Sequence, residues 1–128
     1  INIASNNTAL GSSALSLNTT GANNIAVGPN ALAANIVGNN NIAIGTNALA
    51  ANTNSNNIAI GAGSLQINTT GTNNTALGFN ALSANISTGN NTAIGSSALA
   101  VNIANNNTAL GASSLQLNPL RTNEPASR

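Results

Sequence analysis

Apolar residues recur along this chain in short, widely spaced runs. Each run is a triplet of Thr or Ile, then Ala, then Leu, Val or Ile, closed by glycine; a leucine follows four residues after that glycine. The hexamer NNTALG at Asn6 to Gly11 returns as NNIAVG, NNIAIG, NNIAIG, NNTALG, NNTAIG and NNTALG. Its closing glycines are Gly11, Gly28, Gly45, Gly61, Gly78, Gly95 and Gly111, spaced by 17, 17, 16, 17, 17 and 16, so the pattern also repeats every 50 residues. The shorter units lose their residue at one place, between the Asn that closes one unit and the Asn pair that opens the next. A deletion confined to one point marks a turn, and self-similarity at a fixed period is the signature of a solenoid.

Aligned, the units give columns. One is always Ala: Ala9, Ala26, Ala43, Ala59, Ala76, Ala93 and Ala109. Beside it runs a branched aliphatic column of Leu10, Val27, Ile44, Ile60, Leu77, Ile94 and Leu110. Further on comes a leucine column of Leu15, Leu32, Leu49, Leu65, Leu82, Leu99 and Leu115, and three residues later Asn18, Asn35, Asn52, Asn68, Asn85, Asn102 and Asn118.

Side chains alternate along a strand, so Thr8 and Leu10 share one face and Ala9 takes the other. Leu15 and Leu17 pair in the same way. Helices this short are unstable, and Gly and Asn punctuate every run as turns. The expectation is an all-β solenoid of about seven coils of 16–17 residues, two short strands each, over residues 1–118. At about 4.8 Å per coil the rod is roughly 30–35 Å long. The aliphatic and leucine columns are the expected core. The Asn column is expected to tolerate left-handed turns and to stack as an amide ladder, with contact to a glycan or ice as its functional alternative.

Such thin coils offer few large side chains. That shortage, with a smooth Ala row on the opposite face, points to a homo-oligomer of solenoids packed side by side.

Composition narrows the chemistry. Asn, Ala, Thr, Ser and Gly make up 91 of 128 residues, and charged residues are 2%, against about 25% in ordinary soluble domains. The three charges, Arg121, Glu124 and Arg128, lie in the last eight residues, and there is no His, Cys, Lys, Asp, Met, Trp or Tyr. The repeats therefore hold no general acid or base, no base to activate a Ser or Thr nucleophile and no metal-ligand set. Two Arg and one aromatic residue do not make a nucleic-acid surface, and no apolar run is long enough to span a membrane. The reading is of a chain that is not an enzyme, uses no cofactor or metal, and binds neither nucleic acid nor membrane.

The unit N-N-[TI]-A-[LIV]-G-x-x-[AS]-L, clearest in NNIAIGTNALA (Asn40 to Ala50) and NNTAIGSSALA (Asn90 to Ala100), resembles the head repeats of YadA-like trimeric autotransporter adhesins. Similar Asn- and Gly-rich repeats occur in phage and viral tail-fibre proteins. The resemblance spans roughly residues 4 to 118. It implies a left-handed parallel β-roll, a homotrimer displayed outside the cell on a bacterial surface or as a virion fibre, and a host-surface glycan or protein ligand. The units here are longer than is usual in that family, and no coiled-coil heptads accompany them.

The functional expectation is thus a structural and adhesive segment, head or shaft, of a trimeric extracellular fibre. Two alternatives stand beside it. One is a filament subunit whose coils stack end to end. The other is an ice-binding solenoid, for which the best row reads Thr8, Ile25, Ile42, Ile58, Thr75, Thr92, Thr108 and is interrupted. No row stands out as a ligand site. Phe79, the one aromatic, is read as a surface or inter-chain packing residue. Residues 119–128 are read as a non-repeat tail or a linker to a following domain, because Pro119 removes a ladder donor.

Overall fold

The computed structural model describes the backbone of residues 4–118 and 125–127. It is an all-β parallel solenoid of about seven turns, with no helix among the described residues. Strands β1 (Thr8–Leu10), β2 (Ile25–Val27), β3 (Ile42–Ile44), β4 (Ile58–Ile60), β5 (Thr75–Leu77) and β6 (Thr92–Ile94) lie side by side in one sheet. The short β7 (Val101–Asn102) follows β6 in the chain but lies elsewhere; β8 (Thr108–Leu110) continues the first sheet. Each strand pairs with its neighbour in the register of the repeat, so Ala9 faces Ala26, Ala26 faces Ala43 and so on to Ala109.

The first five coils have one strand each, where two were expected. The segment after each closing glycine is a chain of turns instead: Ala14 N donates to Gly11 O, Ser16 N to Ser13 O and Asn18 N to Leu15 O. The leucine column takes φ values from +46° to +51°, a left-handed conformation that a continuous strand cannot contain. Those leucines are held there by coil-to-coil bonds such as Leu32 N to Ala48 O at 3.1 Å. A second ladder forms at the C-terminal end alone, where β7 pairs with β9 (Leu117–Asn118). Because the segment turns, Leu15 and Leu17 point opposite ways: Leu15 is buried and Leu17 exposed.

The core also differs from the expected one. The Ala column from Ala26 to Ala109 is fully buried, and so are Leu32, Leu49, Leu65, Leu82 and Leu99. Leu10, Ile44, Ile60, Leu77, Ile94 and Leu110 are instead exposed on the outer face of the sheet, with Val27 half-buried. The cause is the thinness of the coil. Leucines from the turn wall fill the interior against the small Ala row of the strand wall and against Ala31, Ala48, Ser64, Ala81, Ala98 and Ser114. Two facing rows of large residues would overpack that gap. The row that faces outward is therefore the aliphatic one, and the Ala row expected to meet a second chain lies in the core.

The closing glycines are a steric requirement. Their φ lies between +115° and +138°, a region open to Gly alone, and a Cβ on Gly45 would sit 2.7 Å from the carbonyl carbon of Gly61 in the next coil.

The tail holds a further departure. β10 (Pro125–Ser127) pairs in parallel with β8, with Ala126 opposite Ala109. The sheet thus gains an eighth strand inside residues read as non-repeat. The signal in the sequence was Ala126, seventeen residues after Ala109. Arg121, Glu124 and Arg128, and the break read at Pro119, lie outside the described residues.

Candidate functional site

Three groups of residues meet the conditions for function: the buried Asn columns, the outer strand wall and the outer turn wall.

Asn18, Asn35, Asn52, Asn68, Asn85, Asn102 and Asn118 are buried. The amide of each donates to the Oδ1 of the previous one at Asn35 (3.0 Å), Asn68 (2.9 Å), Asn85 (2.8 Å), Asn102 (3.3 Å) and Asn118 (3.4 Å). The ladder is interrupted at one step. Asn52 stands just before a shortened loop and donates to Asn54 O, two residues on, where Asn18, Asn35 and Asn68 reach a glycine carbonyl three residues on. Asn35 Oδ1 is left buried without a hydrogen-bond partner. At the second shortened loop, after Asn102, Thr88 of the preceding full-length coil fills the corresponding gap. Its hydroxyl donates to Asn85 Oδ1 and accepts from Asn91 Nδ2 and Asn102 Nδ2.

Sequence reasoning missed a second buried Asn column. Read as turn punctuation, the second member of each Asn pair lies inside at Asn24, Asn41, Asn57, Asn74, Asn91 and Asn107. Each Oδ1 accepts the backbone N–H of its counterpart in the next coil, from Asn24 N to Asn7 (2.8 Å) through to Asn107 N to Asn91 (3.0 Å). The first member of each pair is the true turn residue, with φ between +58° and +64°. These amides are occupied inside the rod, so the Asn columns serve the fold and are not open to a ligand.

The outer strand wall carries two neighbouring columns. One is the mixed row Thr8, Ile25, Ile42, Ile58, Thr75, Thr92 and Thr108; the other is the aliphatic row from Leu10 to Leu110, with Leu10 itself 68% exposed. The outer turn wall, across the core, exposes Leu17, Ile67, Val101 and Leu117, and near its loop edge Ile36, Val37, Ile86 and Ile103. A shallow notch of about 180 Å³ opens here between Ala84, Ile86, Ser87, Thr88, Asn102 and Ile103, beside the second shortened unit. Phe79 projects from a loop, 58% exposed.

Searches against protein-family models, curated proteins and solved structures find no match to this chain. The chemistry of the surface therefore carries the functional argument. Over residues 4–118 it is uncharged, amide-rich at the turns and aliphatic on two opposite walls.

Proposed function

We propose that this chain is a repeat segment, head or shaft, of a homotrimeric extracellular fibre that presents surface rows for attachment to host cells or other surfaces. The observation that carries this reading is the aliphatic column of the strand wall, which faces outward through seven successive coils. Soluble monomers rarely expose a contiguous apolar stripe of this kind. Five of these side chains keep between 36% and 47% of their surface exposed, so completing their burial is worth on the order of 0.5–1.5 kcal/mol each and favours association along the stripe.

The second apolar wall favours a ring. Two different apolar faces on opposite sides of one coil suit heterologous contacts, which close into a cyclic assembly when the rotation allows. A two-fold dimer would use one wall and leave the other wet. The left-handed wind and the trimer number come from the resemblance of the repeat to YadA-like heads, as does the location on a bacterial surface or a virion fibre. In that setting the ligand is a host-surface glycan or protein, and weak contacts repeated on three chains add up by avidity.

The experiment compares the wild-type assembly with the Ile44→Glu variant, which places a charge on the stripe, for adhesion to glycan- and cell-coated surfaces. The expected result is retention of the wild type and a loss of about 10²-fold or more for the dissociated variant. Equal retention of both, or none by the wild type, contradicts the adhesive reading. Thermal hysteresis in the same samples would favour ice binding by the Thr/Ile row instead.

A further inference from the structure

The two outer walls repeat themselves, so on their own they do not align one rod with another. Sliding a rod past its neighbour by a single coil, about 4.8 Å, sets Ile44 where Ile60 stood and Ile60 where Leu77 stood. The apolar burial hardly changes. Stripes that match themselves after a shift leave the register unspecified. A feature that occurs once can specify it.

Two such features lie at one level of the rod. Phe79 is the one aromatic residue, in a column otherwise filled by Ser12, Pro29, Thr46, Ala62, Ser96 and Ala112. Its stacked neighbours Ala62 and Ser96 are small, so the ring stands clear of the corner after Gly78 and is 58% exposed. The notch on the turn wall has an equally local cause. The column after the buried Asn ladder reads Thr19, Ile36, Thr53, Thr69, Ile86 and Ile103, so two isoleucines follow each other only at its end. In the adjoining column Ala84 falls between Ile67 and Val101. A small residue between two large ones leaves the hollow that Ile86 and Ile103 border. Its volume of about 180 Å³ suits a phenyl ring, since an aliphatic cavity of about 150 Å³ holds benzene.

Ring and notch belong to the coil that starts at β5. The next coil ties to both: Ser97 N donates to Phe79 O at 2.8 Å, and Ala84 N donates to Ala100 O at 2.9 Å. A cyclic assembly whose axis runs along the rods turns each copy without lifting it, so residues meet at equal heights. Phe79 stands at the rim of the strand wall, two residues beyond Leu77, while the notch lies on the turn wall. These are the two faces that a heterologous contact joins.

We propose that Phe79 of one copy seats in the notch between Ile86 and Ile103 of its neighbour and so fixes the axial register of chains whose walls would otherwise slip by a coil. This inference rests on the side-by-side association proposed above and adds the residue that aligns it.

The test removes the ring with Phe79→Ala and fills the seat with Ala84→Leu. Both changes suit the fold, because Ala62 and Ala112 already stand in the first column and Leu17 and Leu117 in the second. In sedimentation equilibrium each variant is expected to weaken association about 10-fold or more. The double variant is expected to lose no more than either alone, since both remove one contact. Register is read by oxidative crosslinking, because the native chain has no cysteine. Ser87→Cys with Ser96→Cys flanks the contact and leaves Phe79, Ile86 and Ile103 in place; it is expected to join neighbouring copies. Ser87→Cys with Thr46→Cys, displaced along the rod, is expected to join them only once Phe79→Ala is added. Phe79→Ala chains that associate as tightly as wild type, or equal yields from the two cysteine pairs, overturn the seat and leave the association standing. A wild type that stays a single chain overturns both.

Discussion

The side-chain amide of Asn68 lies 2.9 Å from the Oδ1 of Asn52, sixteen residues earlier, and both residues are fully buried. The same amide also donates to Gly71 O at 3.0 Å, while Asn68 Oδ1 accepts from Asn85. Asn68 is thus satisfied on every side. Asn35 makes the same two donations, to Asn18 Oδ1 and Gly38 O, but its Oδ1 has no partner.

The contrast predicts unequal losses in chemical denaturation. Asn68→Ala removes two donations and the acceptor of one of the two bonds made by the buried Asn85 amide, which keeps Thr88 O, at a cost of about 1–3 kcal/mol. Asn35→Ala gives up two donations but also removes an orphan, so its loss is expected to be smaller by about 1 kcal/mol or more. Equal losses would mean that the gap at Asn35 has no energetic weight.

Thr88 is expected to compensate, from the coil before it, for the shortened loop that follows Asn102. Thr88→Val keeps the shape and removes the hydroxyl that joins Asn85, Asn91 and Asn102. About 1–3 kcal/mol of stability should be lost, with hydrogen exchange accelerating at residues 85–107 ahead of 24–60. A uniform effect along the rod would contradict a local role.

The glycines separate into two kinds. Gly45→Ala places a methyl 2.7 Å from the Gly61 backbone at φ +132°, and should cost on the order of 3 kcal/mol or more. Gly63, with φ +69°, stands where other coils carry Asn30, Asn47 or Asn80 in the same conformation, and the nearest obstacle to a Cβ there is the Asn80 side chain, which can turn aside. Gly63→Asn is expected to change stability by less than about 1 kcal/mol. Thermal unfolding of the two variants checks the difference.

Stability is also expected to be nearly flat with pH. Stability varies with pH where folding changes the number of bound protons, and residues 1–118 contain no ionisable side chain. The unfolding midpoint should therefore shift little between about pH 3 and pH 10. A marked acid transition would implicate Glu124 or a chain terminus in holding the rod.

Much of this fold was legible from spacing alone. The six steps between seven glycines gave the coils, the one-residue deletions marked the loop after Asn52 and Asn102, and the Asn18 column forms a ladder broken at Asn52. Sidedness was harder to read. A three-residue strand such as Thr8-Ala9-Leu10 alternates equally well either way up, and placing large aliphatics inside is normally the better guess. Here the decision belongs to Leu15 and its equivalents on the facing wall, whose bulk leaves room only for Ala. Their left-handed φ was not legible either, because it is imposed by bonds to the neighbouring coil and runs against leucine's own preference. The inner Asn column escaped for a related reason. In each pair both residues suit a turn, and only the path of the chain decides which one turns and which points inward.

The outward aliphatic column makes self-association the central claim, and solution mass tests it most directly. Light scattering after size exclusion is expected to give a mass near three times the 12.4 kDa of the single chain, falling to one chain for Ile44→Glu. A wild-type mass of one chain, with Leu10 to Leu110 left in water, would contradict the account.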